Sequence, residues 1–272
     1  MRLIRSLFLA IRFLTIIPLP QGRADTAEDL GLAMYWFPVV GLGIGALAGG
    51  CYALVAWAVG PAVGAASAVA CLAIVTGALH LDGLADTCDG LFGGSDRESR
   101  LRIMKDKAVG AFGSVAIALV LLLKFACVAS LASQRAVDVV VVMAFAIAFA
   151  RWAQVLASGV CEYGRPEGGT GQSFVGAVCV RHAVVSGLLV VVLWVVATAF
   201  IVMPHAAPGV QVAGACTPLI GVVIASFGMI WLFGRRIGGV TGDTLGALAE
   251  VNEVVFLACA AGLLGRLASC LH

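Results

Sequence analysis

Seven apolar runs punctuate the chain, near residues 36–59, 61–79, 112–131, 137–158, 183–203, 213–233 and 252–271. Each approaches the ~20 residues that carry a helix across the hydrocarbon core of a bilayer, so the pattern predicts seven membrane-spanning helices. Gly60–Pro61 marks a tight turn between the first two. Ahead of them, residues 2–17 mix apolar side chains with Arg2, Arg5 and Arg12 until Pro18 and Pro20 stop the pattern. Basic residues recur through this stretch and no small-residue cleavage site follows it, so it reads as an amphipathic helix in the membrane interface and not as a signal peptide. The glycines of GLGIGALAGG (41–50) recur at helical spacing, which lets membrane helices pack closely.

Composition agrees with an all-α, polytopic integral membrane helix bundle. The chain is 61% hydrophobic and 12% charged, against roughly 25% charged in a soluble domain. With 272 residues, the spans leave no room for a large soluble domain, and a single domain over 1–272 is expected. A net charge of +2 is too small to predict a nucleic-acid partner. The nine cysteines are scattered, with no CxxC pair, which predicts neither a disulfide framework nor a zinc site. A homo-oligomer is left open.

The loops between the runs are unequal. Three are long and polar (80–111, 159–182, 234–251), and with the N-terminal segment they fall on one side. Of the 17 basic residues, thirteen lie there: Arg2, Arg5, Arg12, Arg23, Arg97, Arg100, Arg102, Lys105, Lys107, Arg165, Arg181, Arg235 and Arg236. Only Arg135 sits in an opposite loop, while Lys124, Arg151 and Arg266 fall within spans. The positive-inside rule puts the long loops and the N-terminus in the cytoplasm. Of the 15 acids, all but Asp138 share that side, so any chemistry faces the cytoplasm.

The run HLDGLADTCDG (80–90) places Asp82, Asp86 and Asp89 at i, i+4 and i+7, one face of a helix. Acids crowded at a membrane edge repel one another unless a cation lies among them, and a hard ion such as Mg²⁺ takes carboxylate oxygens and keeps positions for substrate phosphates. A helix end lying in water is the structural alternative. Arg100, Lys105 and Lys107 follow, with Asp106 among them; acids for a metal beside bases for phosphate oxygens is what phosphoryl transfer needs. Those bases also fit a simple topology anchor. In the second loop Tyr163, Arg165, Gly168, Gly169 and Gly171 combine a bidentate donor with flexible backbone. In the third, Asp243, Glu250 and Glu253 stand at i, i+7 and i+10 behind GGVTG, with Thr241 or Asp243 near a helix cap. His80 is a candidate base or ligand, although a lone histidine at a helix end is more often neither. Lys124 either snorkels or pairs with a buried group.

Together these segments resemble the cobalamin 5′-phosphate synthase family, also called adenosylcobinamide-GDP ribazoletransferase. The matching pieces are RFLTIIPLP (12–20), YWFPVVG (35–41), HLDGLADTCDGLFGG (80–94), RLRIMKDKAVGAFG (100–113), YGRPEGGTG (163–171) and GGVTGDTLGALAEVNE (238–253). The acid-rich run and the IMKD segment are the specific ones, and Glu253 fits the family pattern better than Glu250. The resemblance implies a multi-pass enzyme of the cell inner membrane. It would join adenosylcobinamide-GDP to α-ribazole or its 5′-phosphate, release GMP, and use Mg²⁺ held by Asp82, Asp86 and Asp89. It further implies Asp89, Lys105, Asp106 and Asp243 as catalytic residues. His80, Arg100, Lys107, Tyr163, Arg165, Thr241 and Glu253 would be substrate-binding.

Two other readings share some of these features. A membrane CDP-alcohol phosphotransferase uses similar aspartate chemistry, but its pattern has an Ala-Arg pair where this chain reads Ala85–Asp86. A secondary transporter places its charges near the bilayer midplane, often in repeated halves, whereas here the acids gather at one face. The predicted orientation is checked by reporter fusions after residues 95, 170 and 240, all of which should report cytoplasm. A periplasmic signal at any one breaks the topology.

Overall fold

The computed structural model of the chain describes residues 2–20, 26–165, 167–169 and 171–269, with side chains through 266. Arg23, counted above among the basic residues, lies outside them. The described residues form α1 (Arg2–Leu14), α2 (Ala27–Ala58), α3 (Pro61–Val75), α4 (Leu79–Gly93), α5 (Arg97–Ile103), α6 (Ala111–Ser130), α7 (Ala136–Val160), α8 (Gln172–Ala177), α9 (Val180–Ala197), α10 (Pro208–Ile237) and α11 (Gly242–Ser269). A π-helical turn, Thr198–Val202, extends α9.

Among the described residues, six helical segments are long and apolar enough to cross a membrane: α2, α6, α7, α9 with its π turn, α10 and α11. The run expected to span at 61–79 behaves differently. α3 ends at Val75 and α4 leaves it at 86°, so α3 is only about 22 Å long at 1.5 Å per residue. Gly77 and Ala78 make the corner with φ of +59° and +56°, a left-handed conformation that a non-glycine residue seldom adopts. The segment after α1 braces it, since the Ile16 amide donates to the Val75 carbonyl at 2.9 Å. Hydropathy does not register such a bend, because the corner at 76–78 still lies inside the apolar run 61–79. The expected third loop is also shorter than its polarity implied: α10 ends at Ile237 and α11 opens at Gly242.

α1 buries Ser6, Leu9, Ala10 and Leu14 and leaves Leu3 and Ile4 exposed. The Ser6 hydroxyl accepts from Trp36 Nε1 at 3.1 Å, fastening α1 to α2. α7 is the most enclosed span, 83% buried. Against it lie Gly41, Gly45 and Gly49 of α2, spaced one per turn. A β-carbon there would stand 3.0, 2.7 and 2.6 Å from the α-carbons of Ala148, Ala144 and Val140. Between two helices in lipid, where apolar side chains gain nothing by leaving their surroundings, this backbone approach supplies the packing.

Gly45→Ala is therefore expected to destabilise the bundle by ~1–3 kcal/mol through overpacking. Gly43→Ala, with nothing near its β-carbon, should be neutral or gain up to ~1 kcal/mol from helix propensity. Thermal unfolding in detergent compares the two. Equal shifts would show that α2 and α7 do not depend on this approach.

Candidate active site

The site begins where α4 and α11 cross closely at two glycines, Gly83 and Gly246. A β-carbon on Gly83 would lie 3.0 Å from the Asp243 α-carbon, and one on Gly246 would lie 3.2 Å from the His80 α-carbon. Asp82 and Asp86, one residue before and three after Gly83, therefore flank the N-terminus of α11. Asp86 lies within electrostatic reach of Asp243, Asp82, Arg165 and Asp89. The start of α11 is closed by a reciprocal pair: the Thr241 amide donates to Thr244 Oγ1 at 2.7 Å, and the Thr244 amide to Thr241 Oγ1 at 3.3 Å. Thr241 is fully buried in this cap and is not available to a substrate as expected from its motif. Because Thr241 caps the helix, the Asp243 carboxylate is left to pair with Arg165.

The three loops meet here. Tyr163 and Val240 form a parallel bridge, with Gly164 N donating to Val240 O at 2.8 Å and Val240 N to Glu162 O at 3.0 Å. Gly238 and Gly239 carry φ of +76° and +153° into it, backbone that L side chains rarely adopt. Arg97 of α5 donates to the Gly164 carbonyl at 3.1 Å, and Arg165 reaches the Met104 carbonyl at 3.4 Å besides Asp243. Lys105 pairs with Glu167, and its ammonium holds that carboxyl below the ordinary carboxylate range.

Between α5 and the second loop lies a groove of about 520 Å³ lined by Arg97, Glu98, Leu101, Arg102, Lys105, Arg165 and Glu167. Arg97 and Arg102 were not singled out by the sequence reading. Their signal was the helical spacing of 97, 98, 101 and 102, legible only once 97–103 is taken as a helix and not as loop. On the other side of Asp243 a second cavity of about 300 Å³ is bordered by His80, Asp82, Gln154 and Asp243. Arg165 lines the first cavity and Asp243 the second, so their ion pair stands between the two.

Several expected site residues lie elsewhere. Asp89, expected as a metal ligand and catalytic group, accepts from the amides of Gly110 at 2.7 Å and Gly113 at 2.9 Å. α6 has no side-chain cap of its own, and the carboxylate of α4 supplies one from outside, stabilised by the helix N-terminus. Arg100 is 9% exposed and donates to the carbonyls of Arg236 at 3.3 Å and Ser95 at 3.0 Å, so it ties α5 to α10. Asp106 accepts from its own loop at Ala108 N, 3.1 Å away. Lys107 is exposed and borders neither cavity. Glu253 shares the buried interior with Glu250: Lys124 Nζ lies 2.6 Å from Glu250 Oε2 and 2.5 Å from Glu253 Oε2, and Arg151 Nη1 lies 3.0 Å from Glu253 Oε1. Two charges of each sign compensate one another there, which is why the family-like glutamate does not reach the site. Of the two fates open to Lys124, pairing is the one adopted.

Among the described residues, no three His, Cys, Asp or Glu side chains close on one point as a protein-only metal cage would. With Asp89 committed to α6, the oxygen donors facing a common space are Asp82 and Asp243, with Asp86 beside them. Mg²⁺ is commonly bound through one or two carboxylates, waters and substrate phosphates, and this donor set has that character.

A family model for cobalamin-5-phosphate synthase matches residues 6–261. The adenosylcobinamide-GDP ribazoletransferase of Chlorobaculum parvum (strain DSM 263 / NCIMB 8327) is 41% identical over 257 residues, covering 93% of each chain. That of Chlorobaculum tepidum is 41% identical over 269 residues, 97% of this chain and 98% of its own. A more distant relative of the same name, from Klebsiella pneumoniae subsp. pneumoniae, is 35% identical over 257 residues, 94% of this chain and 98% of its own. No solved structure matches the chain. A polytopic all-α bundle with acids and bases gathered at one end thus meets full-length sequence likeness, and the chain belongs to the cobalamin-5-phosphate synthase family, enzymes of cobalamin synthesis.

Proposed function

We propose that the protein transfers the adenosylcobinamide-phosphate group of adenosylcobinamide-GDP to α-ribazole or its 5′-phosphate, releasing GMP. The single observation that carries this reading is the Arg165–Asp243 pair standing between a basic groove and a second cavity, in a chain whose relatives bear the name adenosylcobinamide-GDP ribazoletransferase. The reaction is attack by a ribose hydroxyl on a phosphorus of the diphosphate. The P–O bond to GMP breaks, and the hydroxyl proton is lost.

Arg97, Arg102, Lys105 and Arg165 hold the diphosphate in the groove and stabilise the charge that grows on its oxygens as GMP departs. Asp243 takes the hydroxyl proton; the support is that it borders the second cavity and touches Arg165. Asp82 and Asp86 would hold Mg²⁺, which when bound neutralises phosphoryl oxygens. In this reading the protein lies in the cell inner membrane with the site facing the cytoplasm, supported by the concentration of Arg and Lys at the site's end of the bundle. The exposed Leu3 and Ile4 of α1 then face lipid.

GMP release by purified protein, given adenosylcobinamide-GDP and α-ribazole with Mg²⁺, tests the reading directly; no GMP would end it. Chelation of Mg²⁺ should abolish release and Mg²⁺ addition restore it. Asn at Asp82, Asp86 or Asp243 should lower kcat by roughly 10²–10⁴-fold while the protein inserts and folds. Asp89→Ala separates a capping from a chemical role. It leaves two amides of α6 without their acceptor and should cost ~1–3 kcal/mol of stability, read as a lower Tm in detergent. A variant with normal Tm and abolished turnover would return Asp89 to the chemistry.

A further inference from the structure

Four charged side chains play no part in the chemistry proposed above and lie together behind it. Lys124, Arg151, Glu250 and Glu253 are all buried, with Lys124 on both glutamates and Arg151 on Glu253. The cavity they border measures about 10 Å³ and is walled largely by apolar side chains such as Leu72, Leu81 and Leu121. That is room for about one water molecule and for no part of a substrate. Any effect of these charges on the reaction therefore passes through the helices that carry them.

α11 runs without a break from Gly242 to Ser269, so Asp243 in its first turn moves with Glu250 and Glu253 further on. α7 holds α11 at a second point: one turn past Arg151, the Gln154 side-chain amide donates to the Leu245 carbonyl at 3.1 Å. Gly83 and Gly246 set how closely α4 approaches, but a hydrogen in place of a side chain resists rotation weakly. The ion pairs resist it strongly, because a turn of α11 would pull carboxylates off their cations where no water replaces them. Side-chain ends ride ~5 Å from a helix axis, so a turn of ~20° would carry the Asp243 carboxylate by ~2 Å. A misplacement of about 1 Å can cost on the order of 10²-fold in rate.

We infer that Lys124 and Glu250 are positioning residues: with Arg151 and Glu253 they fix the rotation of α11, aim the Asp243 carboxylate at the acceptor hydroxyl, and so govern kcat without touching a substrate. The inference rests on the role given to Asp243 above. Charge balance alone is the competing account. It requires only that the buried charges sum to zero, and it assigns no value to their direction.

The test removes one ion pair whole, in purified full-length protein. Lys124→Met combined with Glu250→Met leaves Arg151 and Glu253 balanced, and a buried pair replaced by apolar groups of similar volume often costs no stability. Tm should stay near that of the wild type, while kcat falls roughly 10-fold and both KM values hold within about two-fold. In an Asp243→Asn background the same pair of changes should cost nothing further, because the group they aim is gone. Wild-type kcat in the double variant, or an equal loss with and without Asp243, overturns the inference and leaves charge balance. If the double variant does not fold, Glu250→Asp decides: it keeps the charge and shortens the arm by one methylene. It should lower kcat several-fold, and an unchanged kcat overturns the inference. If the wild type releases no GMP, the reaction reading fails by itself, and the rotation is then read without turnover. Cysteines in place of Asp86 and Asp243, with the native cysteines changed to serine, report it through a short crosslinker. Slower crosslinking in the double-Met variant supports the positioning role, and an equal rate overturns it.

Discussion

Two glutamates, a lysine and an arginine share one buried volume where α6, α7 and α11 meet. Charged side chains inside a membrane are costly unless they are paired with good geometry. Lys124 comes from α6, Arg151 from α7, and Glu250 and Glu253 from α11, so satisfying all four at once permits one rotation of α11 relative to its neighbours. Glu250 lies seven residues beyond Asp243, two helical turns and therefore nearly the same face. The rotation that brings Glu250 to Lys124 consequently turns Asp243 toward α4. A hydrophobic seam, tolerant of small slides, would not define the direction of Asp243 so closely.

Glycines complete what the charges orient. Gly83 and Gly246 remove the side chains that would hold α4 away from α11, and Gly41, Gly45 and Gly49 do the same between α2 and α7. The first pair brings the backbones of Asp243 and the α4 acids together, and the second anchors α2 on the most enclosed helix. The 86° corner before α4 matters equally. A straight continuation of α3 would carry Asp82 and Asp86 away from the loops that hold Arg165 and Lys105.

The resulting site has two compartments that meet at one ion pair. One is a basic groove formed by α5 and the second loop, and the other is a cavity bordered by Phe13, Phe37 and Phe174 together with Asp82. Arg165 and Asp243 face opposite compartments while touching each other. A transferase needs this division, because donor and acceptor must be held separately and still brought into line at one phosphorus.

The sequence by itself determined the membrane class, six of the spans, four of them to within five residues at either end, the amphipathic first helix and the small-residue stripe of α2. These follow from local composition and from the 3.6-residue period, which each segment carries alone. It also marked Asp82, Asp86, Arg165 and Asp243, whose spacing and neighbours are unusual for an apolar chain. It did not separate Asp89 from Asp82 and Asp86, or Glu253 from Asp243, because residues sharing a helix face look alike until their partners are known. Tertiary structure decided those fates. Asp89 went to the amides of Gly110 and Gly113, Arg100 to the carbonyls of Ser95 and Arg236, and Glu253 to Lys124 and Arg151. Each partner except Ser95 lies at least 21 residues away along the chain, the shortest separation being that of Asp89 from Gly110. Whether a charged side chain caps a helix, neutralises a buried ion or faces a substrate is settled by which opposite charge or unpaired backbone group the fold brings within about 3 Å, and no local pattern carries that information.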